Sequence, residues 1–426
     1  MKKRTMSLII VAFTSFAILL ITKSVAGQMS ASSAAATPSY SLTDLGTLGG
    51  DNSIPFWLTN TGEVIGVSDT GQFDAFGNPV GHAFRWIGGR MQDLTTLGGT
   101  NSSATGGNNA GQAAGSSDLP GGATSHAFLW SGGTMADLGA LNGPTGSSYA
   151  QLVNDKQQVA GGSTTLDGGF HTTLWNYGAI ADLGTLPCPT NDCVSFGNGI
   201  NDLGQVVGGS QVSDVPDPTL GFPPFHATLW SRGEVLDLGA GPNESIGSAA
   251  FNINNKTQVV GRTAAPDLVE GAVAHAFLWQ SGVMRDLGVP AGLGDDNSEA
   301  NSINDNGLIV GDSGVGFIET YAPDHAIIWQ NGSWTDLNTR IPAGSGYYLI
   351  VAFDANARGQ IIVCAVQLTT GNVHAALLTP QLANVSGNQN VRAVAAMQPP
   401  SLSPRAQHLL ELVRRMKSGP RRGHNR

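Results

Sequence analysis

Residues 297–337 alternate short apolar runs with polar turns. Ala300 to Asn304 reads as a strand, and Asp305-Asn306-Gly307 has the turn chemistry that permits positive φ. Leu308 to Ser313 reads as a second strand. After a loop, His325 to Trp329 alternates with period two, Gln330-Asn331-Gly332 closes a hairpin, and Ser333 to Leu337 forms a fourth strand.

The unit recurs along the chain. Asp-Leu returns at Asp44, Asp93, Asp137, Asp182, Asp237, Asp286 and Asp336, in steps of 49, 44, 45, 55, 49 and 50 residues. A His returns at His82, His126, His171, His226, His275, His325 and His374, with Trp four residues later in six copies and Leu378 in the seventh. A third motif, Ile-Asn-x-x-Gly-Gln-Val-Val-Gly, is cleanest at Ile200 to Gly208 and carries Thr59 in place of Asn in its first copy. Four short strands at this period predict one propeller blade each, so the expected fold is an all-β, seven-bladed β-propeller over residues 40–380. The last copy, Ala355 to Thr379, lacks an Asp-Leu strand, and a spare one stands at Tyr40 to Leu45. Pairing the two ends closes the ring and leaves no blade short of a strand.

The turns between strands one and two, and three and four, are short and uniform. The connections between strands two and three vary: Asp69 to Gly81 has 13 residues, Gln211 to Phe225 has 15, and Ala264 to Ala274 has 11. Variable loops on a rigid scaffold are where binding resides. Phe73, Phe76, Phe222 and Phe225 either offer stacking surfaces for sugar rings or pin their own loops.

Composition agrees with strands and turns. Glycine supplies 58 of 426 residues and charged residues only 12%, which excludes a helical bundle or coiled coil. Apolar residues at 41%, with 8 Trp and 15 Phe, exclude a wholly disordered chain. The net charge is −10, unevenly placed: four cations in residues 1–27, and eight against one carboxylate in 384–426, leave the stretch between at −21. Such a body repels phosphate backbones, which argues against nucleic acid as a partner of the propeller.

Residues 1–26 have the layout of a signal peptide, with Lys2, Lys3 and Arg4 before the apolar run Ser7 to Ile21 and cleavage expected after Ala26. An uncleaved N-terminal anchor is the alternative. Residues 27–39 read as a flexible leader and 381–402 as a linker. Residues 403–426 carry apolar positions at helical spacing opposite Arg405, Arg414, Arg415 and Lys417: a short basic amphipathic helix and tail, suited to an anionic membrane surface, a partner or the acidic propeller itself, or left as a frayed tail. Cys188 and Cys193 suit a local disulfide in an exported protein, and Cys364 a buried thiol.

Three motifs in register carry a resemblance. Gly81-His82-Ala83-Phe84, Ser125-His126-Ala127-Phe128 and Ala274-His275-Ala276-Phe277, with Asp-Leu-Gly-x-Leu-Gly-Gly, resemble the bacterial extracellular HAF repeat family over about residues 40–380. The resemblance implies secretion or surface display and no particular activity. The copies at His171, His226 and His325 keep the His without the Phe.

Seven His at one position suggest metal, but each falls in its own blade, so a per-blade bond from His to the Asp of Asp-Leu is expected, with no metal and no cofactor. Gly311-Asp312-Ser313-Gly314 has the look of a serine-protease nucleophile, yet Ser313 occupies the slot that holds Ser68, Ser117, Ser163 and Ser210 in other copies, and no catalytic residue is assigned. Asp295, Asp296, Asp305 and Asn306 read as a solvated turn, with calcium coordination as the alternative. The expected function is an exported or surface-displayed binding propeller that recognises a glycan or a surface protein through its variable-loop face. The alternatives are a carbohydrate-active enzyme with acids around the channel, or a structural envelope protein.

Overall fold

The computed structural model describes residues 38–189, 193–216, 223–241, 247–264, 273–315, 322–381, 399–407 and 410. The expected signal peptide, nearly all of the leader, and most of the C-terminal helix lie outside the described residues. The 28 described strands form seven separate antiparallel sheets of four, the seven blades of a β-propeller. Blade one is Ser53–Leu58, Val64–Phe73, Pro79–Ile87 and Arg90–Asp93. Blades two to six repeat this order. The first strands of neighbouring blades meet one another, so they line the central channel. They are Ser53–Leu58, Ser102–Gly107, Ser148–Val153, Ser195–Ile200, Ser248–Ile253, Asn297–Ile303 and Tyr347–Ala355.

Blade seven holds only three strands in sequence, Tyr347–Ala355, Ile361–Gln367 and Val373–Pro380. Tyr40–Asp44 supplies the fourth, antiparallel to Val373–Pro380, in register from Tyr40 opposite Pro380 to Asp44 opposite Ala376. Gln381 N donates to Ser39 O at 2.8 Å just beyond it. The two ends of the repeat region are thus stitched into one sheet.

Every channel strand carries a β-bulge at the same point, three residues before the repeat Asn or Thr. The bulge drives a carbonyl over the second strand, and this accounts for the glycine of Val-Val-Gly. A Cβ on Gly208 would lie 1.9 Å from Phe196 O, and one on Gly261 would lie 2.0 Å from Ala249 O. Blade seven has Val363 in that slot, and its channel strand carries a second bulge between Leu349 and Val351.

Separate sheets need bonds across their seams. At six seams the Ser that opens a channel strand accepts from the backbone N–H of the preceding blade's third strand, as Ser248 does from Ala227 at 2.8 Å and Ser53 from Ala375 at 2.9 Å. The same hydroxyl donates to the carbonyl after Asp-Leu, as Ser248 does to Gly239 O at 2.5 Å. Between blades six and seven, Asn338 replaces the Ser, donating to Leu349 O at 2.9 Å and accepting from Leu349 N at 2.8 Å. Small residues at Ala83, Ala127, Ala227 and Ala276 let the third strand pass close beneath.

The segment after the linker returns to the ring. Ser403 N donates to Gly371 O at 3.0 Å, and Ala406 and Leu410 are buried in the core that joins blades seven and one. Of the destinations open to the basic helix, its described first turn takes the acidic propeller. A disulfide links Cys188 to Cys193 with Cα atoms 6.3 Å apart, and Cys364 is a buried free thiol.

Deleting residues 28–48 removes the closing strand and bares the edge of Val373–Pro380. The expected result is aggregation on size exclusion and loss of a single cooperative melt. Monomeric elution with an unchanged melt would show that closure contributes little.

Candidate functional site

The recurring His do not converge. In six blades His Nδ1 meets the Asp of Asp-Leu on the adjacent outer strand at 2.8–3.0 Å: His82 with Asp93, His126 with Asp137, His171 with Asp182, His226 with Asp237, His275 with Asp286, and His374 with Asp44 across the closure. The same Asp accepts from the backbone N–H two residues on and so fixes the turn, as Asp286 does from Gly288 at 2.7 Å. Among the described residues, no group of three or more His, Cys, Asp or Glu side chains is placed to share one metal ion.

Blade six departs from the expected pairing. His325 Nδ1 bonds Asp295 at 3.1 Å, while Asp336 caps the 3-10 helix Leu337–Arg340 through Asn338 N at 2.8 Å. Asp336 keeps the turn bond that the other blades make, but Asn338 lacks the positive φ found after Leu elsewhere and the chain turns there as that helix. Burial raises the Asp336 carboxyl above its ordinary range. Asp295 is therefore not part of a solvated turn: it is buried and also accepts from Ser313 Oγ at 2.5 Å. In Ser313–Asp295–His325 the carboxylate sits in the middle. A nucleophile needs His next to the hydroxyl to take its proton, so this order does not activate Ser313.

On the tight-turn face the repeat Asn makes two hoops that the sequence did not reveal. Asn108 Nδ2 donates to Asn154 O at 3.0 Å, Asn154 to Asn201 O at 2.9 Å, and so on through Asn201, Asn254 and Asn304 to Asn356, which donates to Thr59 O at 3.0 Å. One residue later the backbone N–H of each turn donates to the next blade's side chain, from Asn60 N to Asn109 Oδ1 at 2.9 Å around to Ala357 N on Asn60 Oδ1 at 3.0 Å. The first hoop lapses at Thr59 and the second at Ala357.

On the opposite face the candidate aromatics separate. Phe76 is 90% exposed at the tip of the hairpin joining Val64–Phe73 to Pro79–Ile87. The tip is fixed: the Asp74 carboxylate accepts from Phe76 N and Asn78 N, both at 2.8 Å, and from Asn78 Nδ2 at 3.0 Å. Those bonds, led by Asn78, hold the Asp74 carboxyl below its ordinary range. Phe73 lies under the Arg405 guanidinium, 4.8 Å from its ring centre, and Arg405 also pairs with Asp51. Phe225 opens a strand and packs on Phe196, ring centres 5.3 Å apart, which is the pinning role and not a stacking surface. Phe222 lies outside the described residues.

The channel was not singled out in the sequence. The bulge residues Phe56, Thr105, Gln151, Asn198, Phe251, Asn301 and Phe353, one per blade, ring a cavity of about 100 Å³. Their identities differ, so no recurring letter marks them. Their fixed offset of three before Asn or Thr was the available signal. Thr105 Oγ1 donates to Ala150 O at 2.8 Å and Asn198 Nδ2 to Ala250 O at 2.8 Å, so the polar members also bind the next blade. The one carboxylate of the lining is Asp354, whose oxygens accept from Ser302 Oγ at 2.6 Å, Ala355 N at 2.9 Å and Leu58 N at 3.0 Å. Burial outweighs these bonds and pushes it up to about 6.

No family model matches the chain, and no curated protein matches it. Among solved structures, the chain is similar to the β-propeller domain of the Trilobed protease from Pyrococcus furiosus, described as having an open velcro topology: 8% identity, 84% of this chain and 98% of that one, TM-score 0.49. YCF48 bound to D1 peptide aligns at 10% identity over 82% and 99% of the two chains, TM-score 0.43. SapL1 lectin in complex with alpha methyl fucoside aligns at 10% identity over 69% and 97%, TM-score 0.34.

Two predictions follow from the His–Asp turns. Burial alone would raise Asp44, but bonds from His374, Tyr347 and Gly46 N prevail and hold it at about 2, and Asp182, Asp237 and Asp286 are lowered by the same kind of partners. A folded value below the unfolded one means stability present above about pH 4 and lost as the pH falls toward about 2. The melting temperature should drop through that window, and Asp44→Asn, less stable near neutrality, should drop less. Secondly, the residue after Leu in Asp-Leu-Gly has positive φ, and after blade one's Asp93-Leu94 it is Thr95 at φ 65°. Thr95→Gly should raise stability by about 1 kcal/mol, read by chemical denaturation, because it relieves a β-branched residue in the left-handed region.

Proposed function

We propose that this protein is an exported binding propeller that recognises a glycan or a surface protein through its variable-loop face. The carrying observation is Phe76: a large apolar side chain, 90% exposed, on a tip whose backbone is fixed by the Asp74 carboxylate. Exposing such a ring contributes nothing to folding, and fixing it beforehand lowers the entropy cost of contact with a partner. The signal-like residues 1–26, the HAF-type motifs and the local disulfide support export, and the −21 charge of the body weighs against nucleic acid.

The enzyme alternative has less support. Glycoside hydrolysis uses two carboxyl groups, and the channel lining described above offers one, already engaged by three donors.

The test is a glycan array and a pull-down from the cell surface with the mature chain, followed by Phe76→Ala. Loss of about 1–2 kcal/mol of binding with an unchanged melting temperature supports the reading. Unchanged affinity would place the contact elsewhere.

A further inference from the structure

The segment that follows the linker is held at one place on the ring. Its helical turn begins at Pro404, and the Ser403 hydroxyl before it accepts from Ala406 N at 3.2 Å. Ser403 N donates to Gly371 O, in the connection between the second and third strands of blade seven. Gly371 is shaped for this approach: its φ is 73°, and a Cβ there would lie 2.9 Å from Ser401 O. Ala406 and Leu410 are buried in one core cluster with Ile54 and Val67 of blade one and Tyr348 and Val366 of blade seven. Arg405 pairs with Asp51 and covers Phe73, which ends the second strand of blade one. The segment therefore sits on the variable-loop face, astride the seam where the ring closes.

The charge of that face is one-sided. Five of the seven connections between second and third strands contain Asp or Glu, and none contains Lys or Arg. The turns of the opposite face hold Lys156, Arg232, Lys256 and Arg358 instead. Phe76, Leu166 and Val215 stand exposed in three of the variable connections, each within two residues of an Asp. An occupant of this face is basic, with apolar side chains among its cations. The chain itself supplies one. It leaves the described residues at Leu410, on this face, and residues 411–426 carry six Lys or Arg against Glu411 alone, with Leu412, Val413 and Met416 between them. Length suffices: 16 residues reach about 24 Å even when wound as a helix, and four strands span only about 14 Å of a blade.

We propose that residues 411–426 are an intramolecular ligand of the variable-loop face, running on from the docked turn over its acidic tips. The occupant is this chain's own tail, and not that of a second copy. A partner of the face then has to displace a basic segment already tethered there. The proposal holds whichever partner the face takes.

The probe is a synthetic peptide of residues 411–426, titrated by calorimetry into the mature chain and into a chain ending at Leu410, which keeps the docked turn. A tethered segment is present at an effective concentration on the order of millimolar, so the peptide should bind the shortened chain at least tenfold more tightly than the full one. That binding should weaken at least tenfold between about 0.05 M and about 0.5 M salt. No binding to the shortened chain, or equal binding to both, overturns the proposal. A second measurement uses the intact protein. Lys417 is the one Lys of residues 399–426, and carbodiimide coupling joins it to whichever carboxylate it touches. Links to Asp74, Asp167 or Asp214 support the proposal, and links to Asp155, Asp202 or Asp305 on the tight-turn face overturn it. Links found only between isotopically distinct copies show docking on a second chain and overturn it too. Tail binding in a protein that captures no glycan and no surface protein leaves the proposal standing and removes the loop-face reading alone.

Discussion

Seven sheets that share no strand must be held together by side chains, and this constraint organises the molecule. Within a blade the backbone ladder is complete, but between blades it is absent. The seams therefore fall to short polar side chains that reach main-chain groups: Ser near the variable-loop face, the bulge residues at mid-channel, and Asn at the tight turns. Each such bond contributes only about 1 kcal/mol, yet each also satisfies a buried backbone group that would otherwise be orphaned. That dual duty explains why Ser and Asn recur as strictly as the apolar core positions do.

The bulge ties this seam chemistry to the candidate site. Inserting one residue into the channel strand turns a side chain out of the pleat. In blades two and four that side chain fastens the neighbour, through Thr105 and Asn198, while in blades one, five and seven it is Phe. The close carbonyl it creates is met by glycine on the second strand in six blades. The wall of the channel cavity is thus made by the same irregularity that bonds the blades.

Much of the fold was legible because it repeats. Asp-Leu, His-x-x-x-Trp and the Asn turn gave the blade count, and the misplaced strand at Tyr40 gave the closure, since a ring has no tolerance for an incomplete blade. What resisted reading was whatever the repeat does not mark. Phe56, Gln151 and Asn301 share a position and no chemistry. Phe225 reads as part of a loop until Phe196, two strands away in the same sheet, is seen beneath it. Asp295 was obscured by its acidic neighbours, and its partners Ser313 and His325 lie 18 and 30 residues away in sequence. The hoops of Asn and Asp join residues about one blade apart, a distance at which side-chain pairing leaves no local pattern.

The stitch between Ser39 and Gln381 makes the propeller a closed loop in all but covalent fact. The place where the polypeptide starts is then a convention of the gene and not a requirement of the architecture. A short linker joining those neighbours would let the chain be cut afresh at any surface connection, each permutant moving the seam of closure to a different blade. The Cys188–Cys193 loop is the exception: a cut inside it would leave new ends joined by the disulfide, and the ring would keep a covalent tie where it had been opened.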